Sequence, residues 1–392
     1  MKRLMLVVWL WCVVLAGFGL ASDRRVCPYC KDDAALLAAS GLLTHAPTAI
    51  GALGAGTREE FEAKLVGPAW VFAETAHLRI AFAPGPSNVD QGDRKAIDAE
   101  LDKLRALLPS VPVKPKKLDP FLRLHLIALR GERLYERVQE VLRVSDADFP
   151  EQRESGKPYM GNGRFLGEKD KFELVIHATV AQHRAFTREL AGVEVTDALR
   201  WHVNSAHKLL ASIPAAEAEF KDDRWLFPHI AHNLTHSMFC AYKHYSYEPP
   251  PWLDEGLALA MEKEIELVAQ TLEGEEGTLR DVKTPSDPWA AAKKLGLSGK
   301  VKGLAELLYA KNHTELTPER ALLAWTMVRF LIDEHGEAFA RFAGDVKGQL
   351  GPDGRPSGAN LVDLQREKLR EHFQWTPQQF DEAWKAWLTA KR

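Results

Sequence analysis

The sequence predicts an α+β fold, with a small α/β unit followed by a mainly helical domain. Between residues 69 and 195, short alternating apolar runs interleave with segments of helical period. Beyond residue 195 the apolar spacing is helical throughout. Apolar residues make up 46% of the 392 positions, enough to fill more than one core, and no internal repeat or low-complexity tract interrupts them.

The first residues read as an export signal rather than as fold. Lys2 and Arg3 precede an apolar run over residues 4–20, and Gly19-Leu20-Ala21 offers small residues for cleavage near Ala21. An uncleaved anchor is the alternative, although the run is short for a spanning helix of about 20 residues. Cys12 lacks the small residues just before it that a lipoprotein signal carries. With residues 1–21 removed, the chain is expected to be soluble and secreted, periplasmic or in the cell envelope. Basic and acidic residues nearly balance, 51 against 54, and no basic block occurs, so nucleic acid is excluded as a partner.

Residues 22–68 form an N-terminal segment with a short helical lead-in. It contains Cys27-Pro28-Tyr29-Cys30. Three readings of this C-x-x-C stay open: a disulfide or local clip, a metal-ligand pair, and redox work. The last needs a thioredoxin-like strand before the motif, for which there is no room. Cys240 reads as a buried apolar thiol.

In the α/β unit, residues 77–82 alternate as a strand that Pro84-Gly85-Pro86-Ser87 ends. Residues 96–108 have helical spacing. Residues 122–129 read as a second strand, 133–144 as a helix, 172–177 as a third strand and 180–191 as a helix. Helical segments follow near 196–212, 228–242, 255–272, 302–310, 318–335, 361–372 and 377–390. Thr317-Pro318 and Thr376-Pro377, the latter with Gln379 closing a capping box, mark two helix starts.

The chemistry-bearing stretch is Pro228-His229-Ile230-Ala231-His232-Asn233-Leu234-Thr235-His236. Proline at a first helical position sets the start at Pro228. His232 and His236, four apart, project from one face and can share a metal. After eighteen intervening residues, Pro251-Trp252-Leu253-Asp254-Glu255-Gly256-Leu257-Ala258 brings Glu255 to the head of another helix. Two imidazoles and a carboxylate, with a fourth position for water, are the ligand set of a catalytic zinc. Small Gly256 and Ala258 permit close helix approach there.

His232-x-x-x-His236, eighteen residues and then Trp252-x-x-Glu255-Gly256-x-Ala258 resemble the gluzincin zinc metallopeptidases, in particular the peptidase MA-like group. The tail, with Phe330-Leu331-Ile332-Asp333-Glu334-His335-Gly336 and then Phe380, Trp384 and Trp387, is similar to theirs more weakly. The resemblance implies a zincin-like fold, with a small mixed β-sheet before the zinc helix. It also implies one zinc on His232, His236 and Glu255.

The family's motif is H-E-x-x-H, and here Asn233 replaces its glutamate. That glutamate moves the proton of the attacking water, typically worth about 10²–10⁴-fold in rate. An amide has no useful basicity. The expectation is therefore a non-catalytic relative that binds a peptide or protein segment in the former substrate cleft. The alternatives are an active hydrolase with an atypical base and a metal-free structural or interaction protein. His229, Trp252 and Asp254 are placed beside the ion or in the cleft. His229 is otherwise a partly exposed first-turn residue, with lesser readings as a substitute base or ligand. Glu262, Glu264 and Glu266 read as a solvated face. His244, Tyr245 and Tyr247 either line the cleft or pack their loop.

Overall fold

Five strands form one mixed sheet, and the alternation of their side chains between its faces explains the layers around it. The computed structural model describes residues 26–46, 70–152, 156–203, 208–215, 218–272 and 285–391. The expected signal, residues 1–21, lies outside the described residues, as does most of the second half of the N-terminal segment. No described helix is long and apolar enough to cross a membrane.

Asp33 caps the short helix α1 (Ala34–Ala39) by accepting from the N–H groups of Ala35 and Leu36. Strands β1 (Val71–Glu74) and β2 (Leu78–Phe82) form an antiparallel hairpin. A small ribbon of β3 (Ser87–Asn88) and β4 (Lys117–Leu118) flanks helix α2 (Arg94–Leu107). Helix α3 (Pro120–Leu142) precedes β5 (Phe172–His177), which runs parallel to β2. Helix α4 (Val180–Ala191) leads to β6 (Leu199–Val203) and β7 (Lys208–Pro214). The sheet order is β1-β2-β5-β7-β6, with β6 outermost and antiparallel to β7.

Val71, Ala73, Ile80, Phe82, Leu174, Ile176, Ala211 and Ile213 belong to the main core, on the face that α3 covers. The opposite face, Phe72, Ala81, Val175 and Leu210, packs on Phe186 and Leu190 of α4.

Two expected elements are corrected. Residues 122–129 are helical, not a strand: Asp119 caps the helix, Pro120 sits in its first turn and the run continues to Leu142. The strand-like alternation arises because α3 is enclosed, so Arg123 and His125 are as buried as the leucines beside them. Arg123 is neutralised by Asp223, with Nε to Oδ2 at 3.0 Å. Residues 196–212 are not a helix but β6 and the start of β7, so the sheet takes two strands from beyond residue 195. The apolar run Leu209-Leu210-Ala211 reflects a strand buried on both faces.

The helical part begins with α5 (Asp223–Ala241), capped by Asp222. Pro228 therefore lies inside this helix, not at its start. Helix α6 (Pro251–Ile265) opens on Pro251 and ends seven residues before the expected limit of 272. The chain then folds back, and Lys263 Nζ donates to Ala269 O at 2.5 Å. Helices α7 (Pro288–Leu297), α8 (Leu304–Leu307), α9 (Pro318–Lys347), α10 (Leu361–Phe373) and α11 (Pro377–Ala390) complete it. The capping box at Thr376 and Gln379 is present. Helix α9 passes the expected end at residue 335, bending at His335, where φ is −136° and ψ 33°.

The loop between α5 and α6 is tied to the end of α9. Lys347, fully buried, donates through Nζ to the carbonyls of Cys240, His244 and Tyr247, each at 3.0 Å. Lys243 Nζ reaches Gly344 O at 2.7 Å, and the Tyr247 hydroxyl donates to Val346 O at 2.7 Å. This loop sets where α6 begins relative to α5.

Candidate metal centre

One turn of α5 presents His232 and His236 side by side, and the first turn of α6 brings Glu255 between them. The two Nε2 atoms are 3.0 Å apart. Glu255 Oε2 lies 3.9 Å from His232 Nε2 and 3.4 Å from His236 Nε2. All three side chains are essentially excluded from solvent, at 0%, 0% and 1% exposure.

The hydrogen bonds around these side chains are compatible with a cation between them. His236 Nδ1 lies 2.7 Å from Asp254 Oδ2, so it carries the proton and its Nε2 is a lone pair. His232 Nδ1 faces Glu262 Oε2 at 3.3 Å, although off hydrogen-bond alignment. A proton on its Nε2 would donate to His236 Nε2 at 3.0 Å; a proton on Nδ1, facing the carboxylate, leaves Nε2 for a cation. Two imidazole lone pairs and a carboxylate oxygen then face one another in a buried space, and Glu255 Oε1 has no hydrogen-bond partner. Such a group of acceptors is unfavourable without a positive centre. Zinc-type bonds of about 2.0–2.2 Å give ligand separations near those observed.

Asp254 completes a carboxylate–histidine arrangement that orients His236. It also lies 3.1 Å from His313 Nε2. Burial pushes the Asp254 carboxyl up, but the charges and hydrogen bonds of His236 and His313 hold it well below the usual carboxylate range. Burial likewise opposes ionisation of Glu255, and His236 and His232 reverse it to a net lowering. His236 is lowered, chiefly by burial, against the pull of Asp254. Burial depresses His313, but Asp254 and Glu255 raise it above its ordinary value. Asp254→Asn should keep the shape but lose this charge, lowering metal affinity about 10–100-fold in chelator competition. Unchanged affinity would remove Asp254 from the centre.

Asn233 is fully buried beside the pair. Its Oδ1 accepts from Arg200 Nη1 at 3.1 Å, and its Nδ2 donates to His229 O at 2.9 Å. The amide is thus held from both sides.

His229 is buried, not partly exposed. It stacks on Phe220 with ring centres 4.2 Å apart, and its Nδ1 lies 3.1 Å from Thr271 Oγ1. Burial pushes it down to about 3. Thr271 in turn donates to Glu262 at 2.7 Å, so Glu262 is a buried acceptor and not part of a solvated face. Glu264 pairs with Arg137, and Glu266 with Arg224. Trp252 is fully buried and donates to Gln365 Oε1 of α10 at 2.8 Å, which makes it a packing residue. His244 Nε2 lies 2.6 Å from Lys347 O at the end of α9, and Tyr245 packs on His202 of β6, so these residues pack the loop against its neighbours. A surface cavity of about 410 Å³, bounded by Arg130, Phe227 and Met261 among others, includes none of the three candidate ligands.

Gly256 permits a close approach, but to α9 rather than α5. A Cβ there would stand 2.6 Å from Val328 Cγ2 and 2.7 Å from Ala324 O. In an exposed helix Gly→Ala gains about 1 kcal/mol. Here the sign should reverse, to a loss of about 1–3 kcal/mol in urea unfolding, because the Ala324 carbonyl cannot step aside. A stabilised variant would contradict the packing.

Arg200, Glu262 and His313 carry no sequence signal for this centre. Arg200 and His313 come from distant segments, and Glu262 resembled a surface charge. No family model matches the chain, and no curated protein shows significant similarity to it.

Proposed function

We propose that the chain is an exported, non-catalytic relative of the gluzincin zinc metallopeptidases. On this reading it has a zincin-like fold and holds one zinc on His232, His236 and Glu255. The observation that carries the reading is Asn233. It occupies the position of the family's general base, yet offers an amide fixed by Arg200 and the His229 carbonyl. Two neutral imidazole nitrogens and one carboxylate favour zinc among the divalent ions. Such an ion would supply Lewis acidity, but position 233, where the family's proton carrier stands, holds an amide that cannot take up the proton.

The burial of all three ligands also favours holding over turnover. The expected partner is an extended peptide or protein segment outside the cytoplasm. Outermost strand β6 carries Arg200 to Asn233, which sets a sheet edge beside the centre, and sheet edges recognise extended chains. The apolar run after Lys2 and Arg3 supports export.

Elemental analysis tests the metal. His232→Ala and Glu255→Ala should each reduce zinc by about one ion per chain relative to wild type. Equal metal content in all three proteins would remove the reading.

A further inference from the structure

A second group of metal-ligating side chains lies far from this centre. Cys27 and Cys30 sit on a tight turn, in which Lys31 N donates to Cys27 O and Asp33 N to Cys30 O, both at 2.9 Å. His45 follows Thr44, which bridges to Glu74 at the end of β1. His125 projects from α3. All four residues are buried, and one donor atom from each lies within 4.8 Å of every other. We infer that Cys27, Cys30, His45 and His125 form a structural zinc site that fastens the N-terminal segment to β1 and α3.

The chemistry of the ring nitrogens separates this from a disulfide. His45 Nδ1 donates to the Phe72 carbonyl at 2.6 Å, which leaves Nε2 as the lone pair. That Nε2 is buried and has no hydrogen-bond partner. His125 Nε2 lies 3.4 Å from Cys27 Sγ. The two imidazole rings stand nearly perpendicular, at 84°, with centres 5.3 Å apart. A Cys27–Cys30 disulfide would consume both sulfurs and still leave two imidazoles converging on nothing. A tetrahedral ion with bonds of about 2.0 Å to nitrogen and 2.3 Å to sulfur requires ligand separations of about 3.3–3.8 Å, within the observed limit.

Two thiolates and two neutral imidazoles neutralise a divalent ion without further charge. The two thiol protons leave on loading. Four protein ligands leave no open position, so the site is structural rather than catalytic. It explains why a histidine is tolerated amid the leucines of α3. It also gives the short N-terminal segment an anchor beyond its few apolar contacts.

Cobalt(II) distinguishes this site from the one on His232, because only thiolate ligation gives sulfur-to-metal charge-transfer absorption. Full-length protein is produced in zinc-depleted medium supplemented with cobalt(II) and purified without reductant, its spectrum is recorded, and its thiols are counted after denaturation. The expected result is a charge-transfer band with intense tetrahedral visible bands, and free Cys27 and Cys30. The bands should survive His232→Ala together with Glu255→Ala, and disappear in Cys30→Ser, which should also lose about one zinc per chain. Should the serine variant fail to fold, the wild-type spectrum and thiol count decide alone. Absence of thiolate bands, or recovery of Cys27 and Cys30 as a disulfide, overturns the assignment.

Discussion

Asn233→Glu is expected to raise cleavage of a mixed peptide library at least about 10²-fold over wild type, within the 10²–10⁴-fold range of a positioned general base. The substitution restores a group able to accept and return a proton one residue from His232. The gain should fall near the lower end of that range because of Arg200. Its Nη1 already lies 3.1 Å from the side-chain oxygen at this position. A carboxylate placed there would pair with the guanidinium, stay ionised and be a weaker base. Adding Arg200→Gln to Asn233→Glu should therefore raise the rate further. Wild-type cleavage already equal to that of the glutamate variant would defeat the non-catalytic reading. A metal-loaded Asn233→Glu protein with no gain would defeat the assignment of position 233.

Lys347→Met should destabilise the fold by roughly 2–4 kcal/mol, because two buried carbonyls and one half-buried carbonyl lose a charged donor and the methionine cannot replace it. The loss is partly offset, since a charge no longer has to be buried. Burial pushes the Lys347 ammonium down to about 8 from an ordinary 10.5. Between those values the unfolded chain binds more protons than the folded one, so this lysine makes stability rise with pH across that window. Urea unfolding at several pH values should show that rise in wild type and its reduction in Lys347→Met. An equally stable variant with the same pH profile would show that the three contacts contribute nothing net.

The clustering of His232, His236 and Glu255 was legible because its signals are local. A four-residue histidine spacing puts both imidazoles on one helix face, and the proline-led turn before Glu255 does open a helix, whereas the same signal at Pro228 falls inside one. The two misassigned elements share one cause. Residues 122–129 and 209–213 are enclosed on both sides, and full burial erases the difference between a period of 2 and one of 3.6. In the first case Asp119-Pro120 was the better guide; in the second, only pairing to β5 decided the matter. Glu262 was misread for another reason. Its neighbours Glu264 and Glu266 do pair with arginines at the surface, but the returning chain at Thr271 covers Glu262. The meeting of His45 and His125 with the Cys27–Cys30 turn depends on contacts across the chain that no spacing rule reports.

Helix α9 touches both elements that carry the His232 centre. Ahead of its bend it lies against Gly256, and its far end grips the α5–α6 loop through Lys347, Gly344 and Val346. A single bent rod thus acts as a jig for the two donor-bearing helices, so the span between the histidines and the glutamate is set before any ion arrives. Loading an ion there should then demand little rearrangement, and ions whose radius does not suit that preset span should be disfavoured by stiffness in addition to ligand type.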